Sequence, residues 1–321
     1  MSRPTARSHI PRGDNKADYF ASKGVVLRHI FKTHNWCQFR TYQNCRGDFV
    51  HLPAGPVHAI SGTWMGVTKH GKVAVLTNYR ENAPEKTTGL YSRGAIVNSW
   101  LTSSQDERLT TKIFVEGLIS SDMFKNVGGF SLICGRLDEP LAIVSNRFDE
   151  ITWIAKERGQ TIALSNTTIE DRSWPKITEG ERLTKAAIEA HVQAEENEDQ
   201  LIDRLLRVLS TDTLPEHSYD TPIESYINDL HKTIFVSPIG NWKEDEATSR
   251  VKGKAAVAFP VKDDWIDKKC TSGVYGTQKQ TVILVNDKGH VRYFERTLFD
   301  NNAEYIPAPC GDRSFEFTIE K

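Results

Sequence analysis

Twice in this sequence two short apolar runs flank a glycine turn, and that pattern commits a chain to an antiparallel sheet. Trp64, Met65 and Val67 lead through Lys69-His70-Gly71-Lys72 into Val73-Ala74-Val75-Leu76. Near the other end, Thr281–Val285 and Val291–Phe294 flank Asn286-Asp287-Lys288-Gly289. Further strands are predicted at Phe130–Cys134, Leu141–Val144, Ile151–Ala155 and Thr161–Leu164, separated by Gly, Asp or Asn. The last strand, Ser314–Ile319, alternates Phe315, Phe317 and Ile319 with polar residues. Helical spacing predicts Arg93–Leu101, Gln105–Leu118 capped by Ser103 or Ser104, Thr178–Val192 and Glu198–Leu209. In the last of these, Leu201, Ile202, Leu205, Leu206 and Leu209 form one apolar face, which reads as a cover on a sheet. Residues 210–272 hold four prolines, the run Lys243-Glu244-Asp245-Glu246 and a single strand candidate, Thr233–Val236, and read as an insertion. Hairpins interrupted by helix pairs give an α+β layered fold with mostly antiparallel sheets.

Regularity begins near residue 61. The first sixty residues carry nine Lys or Arg against three Asp or Glu, and the remainder 32 against 39. The same sixty hold five of the ten histidines and show no sustained periodicity, so they read as a divergent, irregular basic segment. The formal net charge of −1 removes bulk electrostatics as an argument for nucleic acid or a lipid surface. No apolar run approaches the ~18–20 residues of a membrane span, so no transmembrane segment is expected. Five widely spaced cysteines in a chain of this length read as reduced thiols of a cytosolic-type compartment. Dinucleotide, P-loop, zincin and α/β-hydrolase motifs are all absent.

Four features could carry chemistry. His34, Cys37, Cys45 and His51 are zinc-type ligands, but they lack the paired clamps of a finger and read as incidental residues in a basic segment, so no metal site is expected. Thr77-Asn78-Tyr79-Arg80-Glu81 closes the first hairpin; its polar groups either line a pocket or cap a turn and form a surface ion pair. Leu164-Ser165-Asn166, followed by Trp174-Pro175-Lys176, offers an amide that could donate to an oxyanion or simply bond the loop backbone. Tyr275-Gly276-Thr277-Gln278 enters an apolar strand with two hydroxyls that face a ligand, or else forms a strand-entry bulge. Individually these features reach no function.

In order, however, they resemble one family. Gly62-Thr63-Trp64-Met65-Gly66-Val67-Thr68 through Leu76-Thr77-Asn78-Tyr79-Arg80 is similar to the opening block of the transport and Golgi organization protein 2 family, also called the NRDE family. Asn126–Ile133, Leu164-Ser165-Asn166 with Trp174-Pro175-Lys176, Tyr275-Gly276-Thr277 with Thr281–Leu284, and Phe294-Glu295-Arg296 with Phe315-Glu316-Phe317 resemble its later blocks. The resemblance spans residues 61–321, with 210–272 as a variable insertion. It implies an Ntn-hydrolase-like αββα sandwich. In catalytic relatives an N-terminal cysteine is activated by its own α-amino group, and neighbouring amides stabilise the oxyanion. Carried over, Asn78 and Asn166 would be the oxyanion or substrate-orienting amides, with Arg80, Tyr275 and Thr277 in the same cleft. Many relatives place Arg after Tyr-Gly-Thr, where this chain has Gln278.

The front of the chain departs from the family. Members begin Met-Cys and run through an apolar strand to Asn-Arg-Asp-Glu, whereas this chain begins Met1-Ser2 and has neither piece. Ser2–Arg7 resembles the segment just after that motif in fungal-type members, so the sequence is expected to start internally, with a missed first exon and intron text read as residues 9–60. The expected consequences are a sheet lacking its first strand, with an exposed edge or an ill-fitting replacement in its place, and no catalytic residue. Ser2 lacks the strand that would present it, and Cys37 and Cys45 lack the α-amino base. The resemblance implies a cytoplasmic protein, associated with Golgi or mitochondria, linked to Golgi organization, secretion and lipid or haem handling. Its alternatives are an amidase in an isoform bearing the cysteine, and a haem carrier.

Overall fold

The computed structural model describes residues 25–32, 39–43, 49–53, 63–81, 89–104, 108–157, 159–215, 225–226, 228–239, 275–300 and 303–320. Strands β4 (Met65–Val67) and β5 (Lys72–Asn78) form the first hairpin, and β6 (Phe130–Arg136), β7 (Leu141–Ser145) and β8 (Phe148–Ile154) continue it into one five-stranded antiparallel sheet. A second sheet runs β1 (Val25–Lys32), β9 (Tyr275–Val285), β10 (His290–Thr297) and β11 (Asp312–Thr318), again antiparallel throughout. Strands β2 (Phe39–Gln43) and β3 (Phe49–Pro53) pair with each other.

The period of two sorts the core. Val73 and Val75 of β5, with Leu141 and Ile143 of β7, join Ile283, Val285, Val291 and Tyr293 of the second sheet in one buried cluster. The residues between them face the other way. Ala74, Leu76, Leu132, Ala142 and Val144 pack under helices α1 (Gly94–Leu101) and α2 (Thr111–Ser120), through Ile96, Val97, Trp100, Leu101, Val115 and Leu118. On the second sheet, Val282 and Leu284 point outward against α5 (Glu198–Leu209), which α4 (Pro175–Gln193) joins through Ala187 and Ile188. The order is helix, sheet, sheet, helix. Each Val, Leu or Ile of these clusters, where fully buried, stabilises the fold by roughly 1.5–3 kcal/mol. The short helix α3 (Asp122–Lys125) leads into β6.

The two ends of this stack differ. Gly71, in the turn before β5, and Gly289, in the turn between β9 and β10, both adopt φ of 76° and both lie against Ile319. Hairpin turns of both sheets therefore share one end. The opposite end holds the finish of β5 and the start of β9.

Three expectations change, and one left open is decided. The helix predicted from Gln105 begins at Thr111, because Thr110 supplies the cap by accepting the Ile113 N–H at 3.2 Å. Thr161–Leu164 forms no strand; its Ala163 N–H goes instead to the Glu181 carboxylate at 2.9 Å. Thr233–Val236 is likewise no strand, and the pairing falls just beyond it, where Ile239 and Tyr275 exchange backbone hydrogen bonds of 2.9 and 2.8 Å. Finally, the edge expected either to lie bare or to hold a replacement is paired: β1 runs along β9, Val25 standing opposite Ile283 and Lys32 opposite Tyr275. The run Val25-Val26-Leu27-Arg28-His29-Ile30-Phe31 is rich in strand formers but does not alternate, so periodicity gives no sign of it. His34, Cys37 and Cys45 lie outside the described residues, and of His51 only the backbone in β3 is described.

Candidate functional site

The finish of β5 turns polar. Thr77 shares the register of Val73 and Val75, and its hydroxyl donates to the Ser165 carbonyl at 2.9 Å. Opposite it in the ladder stands Ser131, whose hydroxyl donates to the Thr167 carbonyl at 2.9 Å, and next to that Ser145, which donates to the Phe130 carbonyl at 2.6 Å. These three hydroxyls replace the apolar row of the inner face at this end, and two of them tie down the 165–167 loop. Thr167 in turn donates to Asp171 at 2.6 Å, and hydrogen bonds from Ser173 and Thr167 hold the Asp171 carboxyl below its ordinary value.

Asn78 follows Ala74 and Leu76 on the helix-facing register and stands opposite Phe130. The Asn166 side-chain amide donates to the Asn78 carbonyl at 2.9 Å, and the Arg80 N–H donates to the Asn166 carbonyl at 2.8 Å. The two asparagines named from the sequence are thus joined, across 88 residues of chain. Asn166 serves as the brace. The Asn78 Oδ1 atom is buried and finds no hydrogen-bond partner among the described residues. A buried acceptor left without a donor costs about 1–3 kcal/mol, so it marks a place where a donor is missing.

Charge surrounds this strand end. The Glu81 side chain is only 5% exposed, and Arg147 grips its Oε1 through Nε at 2.8 Å and a terminal nitrogen at 2.6 Å. Arg93, at the N-cap of α1, donates to the Gly129 carbonyl at 3.0 Å, the same oxygen that accepts the Tyr79 N–H at 2.9 Å. Burial pulls the Arg93 guanidinium below its ordinary value, with Glu81 acting against that shift and Arg147 adding to it. Gly129 has to be a glycine, since a Cβ there would fall 2.3 Å from Glu81 Oε1 and 2.9 Å from Tyr79 Cβ. Arg80 itself is exposed. The surface ion pair of the sequence reading is not what forms: Glu81 pairs with Arg147, outside the 77–81 segment, and its carboxylate is buried. Arg93 and Arg147 carry no motif of their own, and nothing in the sequence points to them.

The other two named residues stand on the second sheet. Thr277 is fully buried, and its hydroxyl accepts the Val236 N–H at 3.0 Å while its own N–H goes to the Val236 carbonyl at 2.8 Å. Tyr275 packs against Tyr226, Val236 and Ile239. Gly276 permits the close approach expected of it, since a Cβ would lie 3.2 Å from Pro238 Cα. Gln278 donates to the Asp300 carbonyl at 3.3 Å. Trp174 precedes Pro175 at the start of α4, and Lys176 is buried with its ammonium on the Leu230 carbonyl at 2.9 Å. Among the described residues, no group of His, Cys, Asp and Glu gathers as a metal site, and no helix is long and apolar enough to cross a membrane.

Comparison with known proteins decides the family. The family model for Transport and Golgi organisation 2 matches residues 52–300. The chain belongs to this family. The matched span takes in Asn78, Arg80, Asn166, Tyr275 and Thr277. The Transport and Golgi organization 2 homolog of Mus musculus is 28% identical over 270 residues, covering 81% of this chain and 79% of its own. The Homo sapiens homolog is 27% identical over 269 residues with the same coverage. An uncharacterized protein of Saccharomyces cerevisiae is 21% identical over 307 residues, 87% of this chain and 91% of its own. The family match begins inside β3, so β1 and β2 precede it.

Proposed function

We propose that this family member binds a small amide-bearing molecule at the finish of β5, within an Ntn-hydrolase-like frame, and does not cleave it. The helix–sheet–sheet–helix order and the antiparallel sheets support that frame. One observation carries the binding role: the buried Asn78 Oδ1, an acceptor without a donor, which an amide N–H of a ligand would satisfy. The backbone around it is already fixed by Asn166, so the acceptor is preorganised.

Cleavage needs a nucleophile, and the described cysteines do not supply one. Cys134 is wholly buried under the helical layer, and burial pushes its thiol up to about 12. Cys310 stands exposed in the turn before β11 with no basic side chain bonded to it among the described residues. For haem, the candidate iron ligands named from this part of the chain are tyrosines: Tyr79 directly follows Asn78, while Tyr275 packs with Tyr226, Val236 and Ile239 beside the other sheet. The remaining side chains at the finish of β5 are amides, hydroxyls, guanidiniums and a carboxylate, which suit an amide or an oxyanion better than iron. The relatives are named for transport and Golgi organization, which supports a binding role in service of Golgi organization.

An NMR titration with the neutral amide N-acetylglycinamide tests the reading. The wild-type chain is expected to bind it, and Asn78→Leu to weaken binding at least tenfold while the thermal midpoint holds or rises, since the substitution removes an unsatisfied buried acceptor. Equal binding by wild type and Asn78→Leu would overturn the proposal.

A further inference from the structure

The charges at this strand end do not balance. One buried carboxylate, Glu81, stands between two guanidiniums. Arg147 takes it directly, at 2.6 and 2.8 Å. Arg93 feels its charge, yet bonds only the neutral Gly129 carbonyl, and among the described residues no carboxylate lies within ion-pair distance of it. An exposed pair of this kind would contribute little and signify little. Here the carboxylate is 5% exposed and Arg93 is half-buried with no anion bonded to it among the described residues, an arrangement that costs free energy. A guanidinium carries five N–H donors in a planar fork suited to carboxylate or phosphate, and Arg93 uses one terminal nitrogen on Gly129.

We infer that the ligand of this site carries an oxyanion, a carboxylate or a phosphate, received by Arg93 and Arg147 beside the amide-binding Asn78. The inference rests on the amide-binding reading and adds the charged half of the ligand. Glu81 then has a second role. It holds Arg147 in place and competes with the ligand anion for it, so that the site is preorganised and its affinity moderated.

Four probes on the full chain test this: N-acetylglycine, its neutral counterpart N-acetylglycinamide, acetate and inorganic phosphate, each titrated by NMR. N-Acetylglycine is expected to bind about tenfold or more tightly than the neutral amide, as charge-assisted hydrogen bonds imply. Arg93→Gln erases that advantage. Glu81→Gln raises the affinity for the acid severalfold, a gain that a purely structural ion pair would not give and that does not depend on Arg93→Gln folding well. Of acetate and phosphate, the ion whose binding rises in Glu81→Gln and falls in Arg93→Gln identifies the anion. If the acid binds no better than the amide, or Glu81→Gln fails to improve it, the inference is overturned while amide binding at Asn78 stands. If neither acid nor amide binds, both fall together.

Discussion

Lys72 sits at the first position of β5 with its side chain wholly buried, an uncommon place for a lysine. Its ammonium donates to the Ser103 carbonyl at 2.9 Å, the Ser103 hydroxyl at 2.7 Å and the Ser104 carbonyl at 2.8 Å, just past the end of α1, and lies 4.9 Å from the centre of the Trp100 ring. Three acceptors satisfy its three donors, which is how the charge is tolerated. Burial, with Arg136 adding to it, lowers its pKa from 10.5 to about 8. Proton binding sets the sign. Between about pH 8 and 10.5 the unfolded chain holds this proton and the folded chain does not, so stability rises with pH across that window. Below it, both states hold the proton and the slope vanishes. Urea midpoints of wild type and Lys72→Met at about pH 7.5 and about pH 10, either side of the folded-state value, check this. The wild type is expected to gain stability relative to Lys72→Met on going to the higher pH, and parallel behaviour of the two would contradict it. In sequence Lys72 reads as one more solvated residue of a glycine turn; only the position of α1 over β5 makes it a buried group. Arg93 and Arg147 are illegible for the same reason, because their meaning comes from Glu81 and Gly129, which are distant in the chain.

Elements are legible where a single period runs unbroken. Helix α5 spans Glu198–Leu209 as its leucine spacing predicts, with Leu201, Ile202, Leu205, Leu206 and Leu209 all buried. Its start is fixed by a capping box in which Asn197 accepts the Gln200 N–H at 3.0 Å and Gln200 accepts the Asn197 N–H at 2.9 Å. Asn197→Ala removes half of that exchange and is expected to cost about 1 kcal/mol, read as a lower urea midpoint with unchanged slope. Strand β7 is legible too, as an apolar run between turn residues. Thr161–Leu164 has the composition of a strand, yet its backbone is claimed by Glu181, which Arg172 also holds. Local composition cannot report that competition, since it is settled by α4. The reverse holds for β1, whose residues pair with β9 without any alternation to announce it. Within the candidate site, Asn78 and Asn166 come from motifs at strand ends, and the structure joins them. Tyr275 and Thr277 come from the same kind of signal, and lie on the other sheet.

At the scale of the whole molecule, the two sheets meet over a shared apolar face and are fastened at one end by the residue after β11. The Ile319 N–H donates to the Gly289 carbonyl at 2.9 Å, and the Glu320 N–H to the Lys69 carbonyl at 2.9 Å, so two successive residues tie a turn of each sheet. The Ile319 side chain covers both turn glycines. A Cβ at Gly71 would lie 3.2 Å from Ile319 Cγ2, and one at Gly289 would lie 3.5 Å from Ile319 Cβ. Both glycines have φ of 76°, so alanine at either position costs about 1–2 kcal/mol of backbone strain. Only at Gly71 does crowding add to that strain. Gly71→Ala is therefore expected to destabilise the protein more than Gly289→Ala, although the two backbones are alike. If Ile319 is the cause, the excess disappears when both substitutions are repeated in an Ile319→Ala background, because the crowding partner has gone. Urea denaturation of the six chains measures the coupling as a double-mutant cycle, and an excess that survives in Ile319→Ala would show that the first turn is strained by something other than the fastening between the sheets.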